Sequence, residues 1–157
     1  MNPLAHVLIA YIMISFLIPD VHVFIIPIMV FSMLVDMDHL PGYIRLLTYS
    51  KKRRKSMSIE DHIRNVRTVV QEPVGIIILE LLLLSLYLLG VRSPLLMMAA
   101  LCFPIHWLVD FLTVHTRPLY PADKRIVSLF FHTKKQRVVS EVIITILSII
   151  LFLLVYF

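Results

Sequence analysis

Charge is scarce in this chain of 157 residues: only 16% are Asp, Glu, Lys or Arg. Soluble domains carry roughly 25% charged residues. With 59% hydrophobic residues and a mean hydropathy of +0.89, the composition excludes a water-soluble fold that clothes its core in charge. A single cysteine, Cys102, excludes an internal disulfide framework. The three glycines (Gly42, Gly75 and Gly90) lie too far apart for a phosphate-cradling loop. No nucleophile motif surrounds a serine, and Cys102 has no activating neighbour beyond His106, one turn on. Serine and cysteine hydrolase chemistry is therefore disfavoured.

The charge that is present is unevenly placed. Of fifteen Lys and Arg residues, eight lie between Arg45 and Arg67 and six between Arg117 and Arg137, leaving Arg92 by itself. A net charge of +5 could suit nucleic acid, but two basic stretches separated by two apolar ones follow the positive-inside pattern of membrane proteins. No nucleic-acid partner is expected.

The apolar runs predict an all-α fold: a polytopic bundle of four to five membrane helices in a single integral membrane domain over residues 1–157. The helices fall at about 4–18, 21–39, 73–91, 94–113 and 138–157. The first two are short and form a tight hairpin around Pro19-Asp20, with Pro27 in the first turn of the second. No basic residue precedes the first run and no small-x-small site follows it, so it is expected to be retained rather than cleaved. Leu40-Pro41-Gly42 is expected to end the second helix.

Basic loops at 40–72 and 114–137 share one side because two spans separate them. The pattern places both loops and the N-terminus in the cytoplasm, in a multi-pass protein of the inner (cytoplasmic) cell membrane with membrane lipids as partners. Within the first loop, Ser58 and Asp61 resemble a capping box. Ile59, Ile63, Val66 and Val70 follow at helical spacing, which predicts an amphipathic helix at the cytoplasmic surface.

Ionisable side chains inside membrane helices are costly and need an explanation. His106 and Asp110 are four apart on one helical face, a spacing that suits two ligands of one cation or a structural hydrogen bond. Asp36, Asp38 and His39 close the second helix. His6 opens the first helix, and Glu72 stands just before Pro73 at the start of the third, where it could also serve as a cap. The orientation above brings all of these to one membrane level. That convergence points to a divalent metal held by His6, Asp36, Asp38, His39, His106 and Asp110, zinc first, with Mn or Mg as alternatives. Glu72 or Asp38 would act as catalytic proton acceptor. Glu80, mid-way along the third helix, is expected to be a protonated carboxyl paired across helices.

On these motifs the chain resembles the YdjM-like (LexA-binding type) family of membrane-bound metal-dependent hydrolases. The resemblance runs to about Pro121: His6 early in the first helix, Asp36-Met37-Asp38-His39, then His106 to Asp110, Thr113 and Tyr120-Pro121. It implies a metal-dependent hydrolase. The family often carries a His-Arg pair and a Thr-His-Ser element before the third helix. Here that region reads Arg67-Thr68-Val69-Val70-Gln71-Glu72-Pro73, so Glu72 or His62 would supply what Gln71 does not.

The leading expectation is a cytoplasm-facing metallohydrolase acting on a lipid, lipid-linked or phosphoester substrate. A non-catalytic membrane scaffold with a structural metal or polar cluster is the alternative. A small ion or proton carrier built on Glu80 is a third reading, and it lacks the repeated broken helices of transporters.

Overall fold

The structure, a computed structural model, describes residues 2–37, 39–49, 68–113, 115–123, 125–127, 129–130 and 133–157, apart from the side chains of Gln71 and Lys134. The expected amphipathic helix over residues 58–70 falls mostly outside these, as do Asp38 and His62.

The described residues form six α-helices: α1 (Pro3–Ser15), α2 (Ile25–Met37), α3 (Leu40–Thr48), α4 (Pro73–Leu88), α5 (Pro94–Thr113) and α6 (Lys134–Tyr156). No strand occurs among them, and Thr116 and Val127 make an isolated bridge. Three stretches are long and apolar enough to cross a membrane: Val21–Thr48, Pro94–Thr113 and Lys135–Tyr156. Pro3–Ser15 and Pro73–Leu88 are shorter apolar helices. The chain is thus an all-α bundle of membrane type.

Local chemistry explains the boundaries. Asn2 caps α1 by accepting a 2.9 Å hydrogen bond from the Leu4 amide, and Pro3 follows in the first turn. Pro27 lies in the first turn of α2, as anticipated. Several boundaries differ from expectation: α1 ends at Ser15 rather than 18, α2 begins at Ile25 after a 3-10 turn over Val21–Phe24, and α4 ends at Leu88 rather than 91. Leu40-Pro41-Gly42 does not open a loop: it begins α3, with His39 as the capping residue and a 2.9 Å bond from the Tyr43 amide to the His39 carbonyl. A proline in a first turn gives up an N–H that has no helical partner anyway. Helix α6 begins at Lys134 rather than 138, because Thr133 and Gln136 form a reciprocal capping box.

Helix α1 packs against α2, α5 and α6, while α5 packs against α2 and α4. The main core lies among α1, α2 and α5 and includes Tyr11, Ile14, Ile28, Met98 and Cys102. A second cluster, Val35, Ile76, Ala99 and Phe103, joins α2, α4 and α5. Outward faces of α4 and α6 carry exposed Ile77, Leu81, Leu88, Val142, Ile146 and Leu154. In water such surface would be untenable, whereas lipid accepts it.

Successive helices joined by short turns run in opposite directions. The start of α1 and the end of α2 thus share one end of the bundle, and the contacts of Asp110 with His6, His106 with Ser32 and Arg117 with Glu72 bring the end of α5 and the start of α4 to it.

Candidate metal centre

At that end, three helices each contribute a ligating side chain. His6 lies in the first turns of α1, Asp36 near the end of α2 and His106 in the second half of α5, two residues after Pro104 breaks the regular ladder. One ligand atom from each lies within 4.8 Å of the other two, so this group could hold a metal ion. Zinc ligands sit about 2.0–2.2 Å from the metal, so any two are at most about 4.4 Å apart. The observed group needs only a small contraction to reach that.

The two imidazoles are buried at 1% and 3% exposure and stack with centroids 3.9 Å apart and planes 10° from parallel. His106 Nδ1 lies 2.9 Å from the Ser32 carbonyl oxygen. A carbonyl can only accept, so Nδ1 carries the hydrogen and donates it. The Nε2 lone pair of His106 is then left for a cation. It faces Asp36 Oδ1 at 3.5 Å and takes no hydrogen bond from the described residues. Neither ring nitrogen of His6 makes a hydrogen bond among the described residues, although Nε2 lies 3.2 Å from Asp110 Oδ1. Buried polar atoms in native proteins are nearly always satisfied, and orphaned ones call for an unseen partner. Two imidazoles with spare lone pairs beside carboxylates are a donor set that a divalent metal satisfies.

The remaining candidates occupy different places. Asp110 is buried against His6, outside the group of three. His39 Nε2 lies 4.0 Å from Asp36 Oδ1 at the rim, where the two side chains are 17% and 18% exposed. That rim is the accessible side of the centre. Asp38 lies outside the described residues.

Glu72 belongs to a separate arrangement. It is fully buried, and its Oε1 accepts from Arg117 Nε at 3.1 Å while Oε2 accepts from the Arg117 amide at 2.9 Å. Arg117 is itself 4% exposed and lies over the Tyr120 ring at 4.1 Å. This ion pair ties the segment after α5 to the start of α4. Gly75 lets the turn that precedes α4 fold back on the helix, since a Cβ there would collide with the Val69 carbonyl. Sequence reasoning missed Arg117 and the Ser32 carbonyl. For Arg117 the one available signal was a basic residue just past α5, at the level where Glu72 opens α4.

Among the described residues Glu80 has no partner across helices, contrary to expectation. Its Oε1 is buried without a hydrogen bond among the described residues, and the side chain lines a cavity between α4 and α5.

Set against known proteins, the chain matches no family model, no curated protein and no solved structure.

Proposed function

We propose that this protein is a membrane-embedded metal-dependent hydrolase, with His6, Asp36 and His106 as its metal ligands and its centre on the cytoplasmic side of the inner membrane. The observation that carries the reading is the donor set: two buried imidazoles with spare lone pairs and a carboxylate at an accessible rim. Three protein ligands is the number that catalytic zinc sites use, keeping a position open, whereas structural sites close with four. When bound, the metal supplies Lewis acidity and acidifies a water toward neutrality.

The chain's own groups do the rest. The Ser32 carbonyl fixes the tautomer and ring direction of His106. Asp110 steadies His6 from inside the bundle. His39 stands at the rim beside Asp36, where it can take a proton from an entering water. Glu72, with both oxygens engaged by Arg117, serves the fold in this reading. The basic loops favour the cytoplasmic placement, and a centre at headgroup level favours a lipid, lipid-linked or phosphoester substrate. The motifs shared with the YdjM-like hydrolases support the same conclusion, and we assign the chain to that family on them.

Elemental analysis of the detergent-purified protein is the direct test. Wild type should carry stoichiometric divalent metal, and His106→Ala should lose it while keeping its helical circular dichroism. A wild type that neither retains nor takes up zinc, manganese or magnesium would remove the proposal. A cobalt-substituted protein showing a closed four-coordinate site with no exchangeable water would reassign the centre as structural.

A further inference from the structure

The end of the α4–α5 hairpin remote from the metal centre holds a cavity of about 590 Å³. Small-molecule sites span roughly 300–1,000 Å³ and are mostly apolar, with a few polar groups that fix orientation. This cavity fits that description. Leu84, Leu96 and Met97 form its bed, Tyr87 gives it an aromatic wall, and Glu80 and Arg92 are its two charged residues.

Glu80 is the anomaly. It lies seven residues into an otherwise apolar helix, about 10 Å along its axis. An acid there is expensive in lipid and needs a partner. The obvious partner is Arg92, which lines the same cavity, yet no ion pair joins the two. Arg92 instead lies over the Tyr87 ring, 5.6 Å from its centroid. Glu80 Oε1 is therefore buried with no hydrogen bond among the described residues, beside a cavity large enough for a ligand.

We propose that this cavity is a binding site for a lipophilic amine. Its ammonium would meet Glu80, and its apolar body would lie on the leucines and Met97. The proposal is independent of the metal centre. It rests on charge complementarity: among the described residues, the one guanidinium that lines the cavity does not pair with the acid, so a donor cation completes it. An anionic amphiphile would satisfy Arg92 and leave Glu80 as it stands.

Calorimetric titration of the full chain in nanodiscs tests this, with empty nanodiscs subtracted. The probes are three compounds of one shape: adamantylamine, adamantanol and adamantane carboxylate. The amine should bind wild type at least about tenfold more tightly than the other two. Glu80→Gln should abolish that preference, and Arg92→Gln should preserve or strengthen it, because a repelling charge has gone. Leu84→Trp, which fills the cavity, should block the amine whether or not Glu80→Gln folds. The proposal fails if wild type shows no preference for the amine or if that preference survives Glu80→Gln or Leu84→Trp. It fails equally if the carboxylate binds instead and depends on Arg92.

Discussion

The imidazole of His106 donates through Nδ1 to the carbonyl oxygen of Ser32, 2.9 Å away across 74 residues of sequence. That bond decides which nitrogen of His106 is left for a metal. It involves the main chain of α2, so the serine side chain is not required. Ser32→Ala should keep metal content at the wild-type level, whereas His106→Ala should abolish it. Metal analysis of the two variants side by side checks the distinction.

Asp36 and Asp110 should separate into two roles. Asp36 belongs to the group that could hold a metal and Asp110 lies against His6. Loss of an outer-shell partner typically weakens metal binding by about 10–100-fold. Asp110→Asn should therefore bind metal at reduced affinity, and Asp36→Asn should lose stoichiometric binding. Competition with a chelator of known affinity measures both.

Metal retention should fall as pH is lowered. Histidine and carboxylate ligands bind metal only when deprotonated, so acid favours release. Dialysis against buffers of stepwise lower pH should show progressive loss. Restoring the higher pH with added metal should reverse it. Metal that stays bound in strong acid, where the fold persists by circular dichroism, would argue against histidine ligands.

Arg117→Leu should destabilise the fold by about 3–5 kcal/mol, because it leaves the Glu72 carboxylate buried without its partner. Combining it with Glu72→Gln should recover part of that loss. The unfolding temperature in detergent reports both effects. A folded Glu72→Gln variant should retain its metal, since Glu72 is not in the ligand group.

Much of this architecture could be read from the residues. The apolar runs gave the helices because lipid demands long uncharged segments. Loop lysines and arginines order the helix ends, so the sequence groups His6, Asp36 and His106, though together with His39 and Asp110, which fall outside the group of three, and with Asp38, which lies outside the described residues. What stayed hidden has physical causes. Pro41 is compatible with either ending α2 or starting α3, and only the chain beyond it decides. The polar start of α6 masked a helix that begins at a capping box rather than at its first apolar residue. The Glu72–Arg117 pair spans 45 residues, and sequence separation carries no distance. The failure of Glu80 to pair with Arg92 depends on a side-chain direction that no pattern encodes.

Helix α6 takes no part in the centre, yet it braces α1, with Phe152 set edge-on against Tyr11 at 4.9 Å. α1 carries His6, so the ligand's seat is held from behind by a helix that leaves the ribosome long after it. Helix α6 follows α2 and α5 in the chain, so this brace is the last of the helix contacts of α1 that synthesis can supply. Under the proposed function, metal loading follows completion of the bundle, and a chain interrupted before α6 should hold His6 less firmly against Asp36 and His106.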